Sequence, residues 1–295
     1  MNDLPESLQA ALPEDIQTSV EGRLLAASEQ DIVARIWAKD PTVFGEQGQP
    51  EIADRLGWLD IADRLLADVD ELGRFADEVR DDGITDVVLL GMGGSSLAPE
   101  VLRRSFGSAP GRPTLHVLDS TDAQAVLEVE AATDPSTTLY LVATKSGGTI
   151  ETLSGFHHFH ALQSDGNHFV AITDPGSSLV DLAEKHGFRR VFLNDPNIGG
   201  RYSALSYFGL VPAALIGVDT AALLRGAQIA AAGNKPLDTK VATTGLWLGV
   251  VLGELAMHGR DKLTLVIDPP LDSFGLWAEQ LVAESTGKRN PHPEH

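Results

Sequence analysis

The sequence predicts an α/β fold built on a doubly wound parallel sheet of five strands, and three observations carry that expectation. Short apolar runs at 86–90, 114–118, 138–143, 168–173 and 190–193 have the length of strands. Helical patterns at about 97–106, 123–132, 150–162 and 178–186 fill the gaps, which is the rhythm of βαβ units. Two of the runs pass directly into glycine-rich stretches that open a helix, and ligands of such sheets lie beyond the carboxyl ends of the strands.

Taken in order, residues 1 to about 60 mix short helical patterns with Asp40-Pro41 and Gly-Gln-Gly-Gln-Pro at 46–50, and read as an arm packed on a core. From Ile61, the apolar positions Leu65, Val69, Leu72, Phe75 and Val79 recur every three or four residues, as on a helix with one buried face. Residues 1–80 are therefore expected to form an N-terminal arm and helix, and 81–220 the sheet domain. Within the latter, Ser203 stands where it can cap a helix through Ile216. Residues 221–288 read as a helical linker followed by the start of another unit. Its parts are helices at 221–232 and 237–258, a sixth strand at 263–267, a break at Pro269-Pro270, and a helix at 274–285 ended by Gly287. Residues 289–295 are a tail. A lone strand and helix leave backbone groups and apolar faces without partners. Either they dock on the first domain or they begin a second one.

Length and composition fit a folded chain of one or two domains, with 43% hydrophobic and 22% charged residues over 295 positions. The 42 acidic residues outnumber the 22 basic ones, and the formal charge of −20 repels nucleic acid and anionic membranes, so neither is an expected partner. A phosphate ester is repelled by the same field and must be held by local donors. The absence of cysteine removes disulfides, thiolate zinc sites and thiol nucleophiles, and is compatible with a cytoplasmic protein. Residues 1–11 are polar and acidic, unlike a secretion signal. The apolar stretch 241–257 is short and carries Glu254, which favours a buried helix over a membrane span.

The first junction is Leu90-Gly91-Met92-Gly93-Gly94-Ser95-Ser96. Glycines let the backbone approach an oxyanion, the amides of a helix start favour negative charge, and Ser95 and Ser96 add hydroxyls. A tight structural turn has the same look. The second junction, Thr144-Lys145-Ser146-Gly147-Gly148-Thr149, repeats the device with a cation and three hydroxyls. Its bland reading is a capped helix start with an exposed lysine, but two such loops on one sheet favour a shared anion site. Nucleotide readings fit less well. Gly91-x-Gly93 with Asp119 mimics a dinucleotide fingerprint, yet Ser96 replaces the third glycine and Asp119 comes late. Neither loop has the Gly-Lys-Ser/Thr of a Walker motif.

Four motifs carry a resemblance to the glucose-6-phosphate isomerase family. They are Leu90 to Leu97, Thr144 to Thr152, Gly199-Gly200-Arg201-Tyr202-Ser203 and Glu284-Ser285-Thr286-Gly287-Lys288, in the family's order. The first two resemble the phosphate loops of sugar-isomerase (SIS) domains. Arg35-Ile36-Trp37-Ala38-Lys39-Asp40 and Arg55-Leu56-Gly57-Trp58-Leu59 further resemble the isomerase half of bacterial transaldolase/glucose-6-phosphate isomerase fusions.

The resemblance implies that Gly94, Ser95, Thr144, Lys145, Ser146 and Thr149 grip the phosphate of a hexose 6-phosphate. It makes Glu284 the base and Arg201 the cation beside the reacting carbons of an aldose–ketose isomerase that needs no cofactor and no metal. Gly148 departs from the commoner loop, where a hydroxyl residue stands. Read without the family, Arg201 caps a turn and Glu284 forms a surface pair with Lys288. The family also uses a histidine and a lysine from a second SIS domain, of which this sequence holds only the first strand and helix. Weak or no turnover by the chain alone is therefore expected unless a second polypeptide or a homodimer completes the cleft. The alternative is a non-catalytic SIS module that binds a sugar phosphate and regulates a partner. His157 and His160 have the i, i+3 spacing of a metal pair, but with His158 they read as surface or packing residues.

Overall fold

Five short runs are dense in Val, Leu, Ile, Phe and Tyr, and the three central ones are buried on both faces while the two edge runs are partly exposed, which is the pattern of a parallel sheet covered by helices. In the computed structural model, which describes residues 12–236 and 242–287, they are β1 (Asp86–Gly91), β2 (Thr114–Leu118), β3 (Thr138–Ala143), β4 (Phe169–Thr173) and β5 (Arg190–Leu193). All neighbours pair in parallel, in the order β2-β1-β3-β4-β5. The order reverses between β1 and β3, so the crevice of this sheet opens at their carboxyl ends. Leu90 lies between Leu118 and Val142, and Gly91 beside Ala143, so both glycine-rich junctions leave the sheet at that point.

The strands' two-residue period sorts the core into two layers. Val87, Leu89, Leu139, Leu141, Val170 and Ile172 face one side, with Leu72, Phe75, Leu210 and Val211 packed on them. Val88, Leu90, Tyr140, Val142, Phe169 and Ala171 face the other, against Phe156, Phe159 and Leu179.

The arm begins with α1 (Glu14–Glu29) and α2 (Ile32–Trp37). The helix expected from Ile61 is divided by a 3-10 turn at Leu66–Asp68 into α3 (Ile61–Leu65) and α4 (Val69–Asp81). Then α5 (Leu97–Phe106), α6 (Ala123–Ala132), α7 (Ile150–Leu162) and α8 (Ser178–His186) alternate with the strands at their expected positions. They are followed by α9 (Tyr207–Leu215), α10 (Thr220–Ala232), α11 (Thr244–Met257) and α12 (Phe274–Thr286). The arm turns back on the chain, for α1 packs Ile16 and Val20 on Val251 of α11, and Arg23 pairs with Glu254 at 2.8 Å.

Three expectations need correction. Ser203 does not cap a helix through Ile216. A 3-10 turn occupies Gly200–Leu205, and Ser206 caps α9 by accepting from the Phe208 amide at 3.2 Å, because the Ser203 hydroxyl is turned to backbone carbonyls. The helix expected over 237–258 starts at Thr244, with 237–241 outside the described residues. Residues 263–267 form no strand: they have no ladder partner among the described residues, and Val266 is 93% exposed. No described helix is long and apolar enough to cross a membrane.

Candidate active site

Gly93, at φ +52°, turns the chain from β1 into a 3-10 turn at Gly93–Ser95 that leads into α5. At Gly94 the requirement for glycine is steric, since a Cβ there would lie 2.1 Å from the Gly200 carbonyl oxygen. The Ser203 hydroxyl lies 3.0 Å from the Gly94 carbonyl and 2.6 Å from that of Gly200, which ties the Gly-Gly-Arg motif to the first junction. The Ser95 side chain faces the crevice. Ser96 does not, contrary to its reading as a free donor: it is fully buried, and its hydroxyl donates to the Gly93 carbonyl at 3.1 Å.

In the second junction, Thr144 extends the β3–β4 ladder through its amide, and its carbonyl accepts from the Thr173 hydroxyl at 2.7 Å. Its own hydroxyl lies 2.7 Å from that of Thr149. Thr149 precedes α7 without a side-chain capping bond, which leaves the first-turn amides of that helix to another acceptor. The Lys145 ammonium donates to the Asp174 carboxylate and, at 2.9 Å, to the Pro196 carbonyl. Burial holds the Asp174 carboxyl above the ordinary carboxylate range, and the neighbouring Asp195 adds to this, while Lys145 and Arg55 pull it down.

A cleft of about 390 Å³ opens here, a volume suited to a small molecule. Gly94, Ser95, Thr144, Lys145, Ser146 and Thr149, predicted from two separate loops, all line it, together with Gly200, Met92 and Phe208. Two charged lining residues escaped the sequence reading, Asp174 and Arg55. Asp174 follows β4 in a Thr-Asp-Pro-Gly stretch at the same sheet end, a signal that was there to be used. Arg55 opens the Arg55-Leu56-Gly57-Trp58-Leu59 motif but belongs to the arm, which only the tertiary fold brings back to the cleft.

Arg201 and Glu284, 83 residues apart, meet at 3.5 Å beside the cleft but outside its lining. Arg201 also donates to the Ser285 hydroxyl at 2.9 Å and lies over the Tyr202 ring, which stacks on Trp58. Glu284 accepts from the Gln280 amide at 2.8 Å. Gln280 in turn lies 2.7 Å from where a Cβ on Gly93 would stand, so α12 rests on the first junction. A pair of Glu284 with Lys288 lies outside the described residues. The histidines of α7 lie elsewhere: His158 sits 2.9 Å from Glu130, and the rings of His157 and His160 lie against Phe156. Among the described residues no histidine lines the cleft.

Fold and cleft together define an α/β protein with a hydroxyl-lined crevice at the switch point of a parallel sheet. The family model described as phosphoglucose isomerase matches residues 68–292, and the chain belongs to that family. A glucose-6-phosphate isomerase of Cyanothece sp. is 37% identical over 216 residues, covering 69% of this chain and 40% of that protein. One of Thermosynechococcus vestitus is 33% identical over 291 residues, covering 90% and 51%. A hypothetical protein of Thermus thermophilus, known as a crystal structure, superposes with a TM-score of 0.75 at 29% identity, covering 94% of this chain and 65% of that one. The crystal structure of a glucose-6-phosphate isomerase from Chlamydia trachomatis, at 22% identity, shares the fold with a TM-score of 0.72 over 91% of this chain and 56% of its own. The chain spans about half the length of the curated relatives it matches.

Proposed function

We propose that the cleft binds the phosphate of a hexose 6-phosphate and that Arg201 and Glu284 belong to the machinery interconverting glucose 6-phosphate and fructose 6-phosphate. The observation that carries this reading is the meeting of a guanidinium and a carboxylate from distant motifs at the rim of a hydroxyl-lined cleft, in a chain of this family. In the forward direction the Glu284 carboxylate takes the proton from C2 of the open-chain aldose. The freed electron pair forms the C1–C2 double bond as the carbonyl oxygen gains a proton, which gives the enediol. Return of a proton to C1 with loss of the O2 proton gives the ketose. Arg201, held by Ser285 and Tyr202, faces the negative charge that develops on the oxygens.

This chain offers one wall of such a site. Its expected behaviour is saturable binding of fructose 6-phosphate with turnover far below that of a full-length relative, because efficient catalysis needs groups fixed on both sides of the substrate. In this reading, groups outside these 295 residues complete the cleft, a second polypeptide or a homodimer being one source of them, and the cysteine-free sequence is compatible with work in the cytoplasm.

A second reading, a sugar-phosphate-binding module without catalysis, is favoured by one feature: Glu284 is 48% exposed and does not line the cleft. A coupled isomerase assay with parallel calorimetry separates the two. Glu284→Gln is expected to lower turnover by about a hundredfold or more while leaving fructose 6-phosphate affinity within about threefold. Turnover that survives this substitution removes Glu284 as the base, and binding without turnover in the presence of a complementing half establishes the module.

A further inference from the structure

Three charged side chains line the cleft among the described residues: Lys145, Asp174 and Arg55. The Lys145 ammonium is engaged by the Asp174 carboxylate, so that pair presents donors to a ligand but no net charge. A cleft meant for a doubly charged phosphate ester, in a molecule of formal charge −20, needs net positive charge of its own. Arg55 is in position to supply it. Its side chain is only 25% exposed, and its shaft passes Gly199 so closely that a Cβ there would lie 3.2 Å from the arginine Cδ. Its guanidinium contacts Asp54 at 2.8 Å and Glu51 at 3.3 Å, whose side chains are 55% and 65% exposed. Such solvated pairs are weak and readily exchanged. A guanidinium, unlike an ammonium, also matches two phosphate oxygens at once.

We propose that Arg55 is the residue by which this cleft selects a dianionic phosphate ester over a monoanionic one. The inference rests on the sugar-phosphate reading above.

Sorbitol 6-phosphate and sorbitol 6-sulfate test it, because neither has a carbonyl to be turned over and they differ by one charge at about pH 8, well above the second phosphate ionisation near 6. Calorimetry on the whole chain is expected to give a preference for the phosphate ester of about tenfold or more. Arg55→Gln is expected to shrink the preference to about twofold, and Arg55→Lys to leave an intermediate value. An unchanged preference in both variants overturns the assignment, even if both ligands bind more weakly, because a structural role weakens them alike. If Arg55→Gln fails to fold, Arg55→Lys decides on the same ratio. A parent chain that binds neither ester overturns the sugar-phosphate reading, and the role of Arg55 with it. A parent that binds both esters while its variants keep the parent's ratio overturns the role of Arg55 alone.

Discussion

Lys145 reaches the cleft with both of its described acceptors already in place, the Asp174 carboxylate and the Pro196 carbonyl. A lysine held in this way is a fixed donor. The cost falls on Asp174, whose burial outweighs the pull of the ammonium and raises its pKa in the folded state. The native chain therefore holds this proton more tightly than the unfolded chain does. Stability from this site is greatest below the ordinary carboxylate pKa and is lost as pH rises through the raised one. Asp174→Asn removes that dependence, so the variant is expected to gain stability relative to the parent as pH rises from about 4 to about 7. Urea unfolding of both proteins across that range measures the difference, and a constant difference shows that Asp174 is not the group responsible. The hydroxyls and the lysine of the two loops were legible because each loop is contiguous and its chemistry is local. Asp174 carries a local signal too, the Thr-Asp-Pro-Gly stretch that closes β4, although its partner Lys145 lies 29 residues away; Arg55 carries none, since it reaches the cleft only through a folded-back arm.

The strands and their interposed helices were readable almost to the residue, because burial on both faces and on one face write different periods into the chain. Elements whose form depends on a neighbour were misread. Residues 263–267 carry the composition of a strand but find no edge to pair with, and 203–216 is interrupted where Ser203 serves the first junction rather than a helix. That same contact sets the demand at Gly94. Gly94→Ala forces a methyl group into the Gly200 backbone, which no side-chain rotation relieves, and is expected to cost about 2–3 kcal/mol and to abolish sugar-phosphate binding. Gly148 gives the contrast. Its nearest neighbour to an added Cβ is the Ser146 hydroxyl at 4.0 Å, so Gly148→Ala is expected to stay within about 0.5 kcal/mol of the parent. Chemical denaturation of the two variants side by side checks that the approach of the two loops, rather than glycine content, sets the stability of this region.

At the scale of the whole molecule, composition foretold the acidic surface but not the apolar one. Leu263, Leu265, Val266, Leu271, Phe274, Leu276 and Val282 are all exposed, in the segment that also carries Glu284. The acidic surface has a kinetic consequence that the local cleft does not share. A charge of −20 repels an approaching phosphate ester over distances set by the Debye length, which shrinks from about 30 Å at 0.01 M salt to about 8 Å at 0.15 M. Contacts inside the cleft are made at hydrogen-bonding distance and are screened far less. Raising salt over this range is therefore expected to speed association of sorbitol 6-phosphate by about two- to fivefold, the reverse of a cationic protein steering an anion. Dissociation is expected to change less. Stopped-flow measurements at several ionic strengths read both rates. An association rate that falls with salt means that the cationic lining of the cleft, rather than the acidic surface, governs the field the ligand meets first.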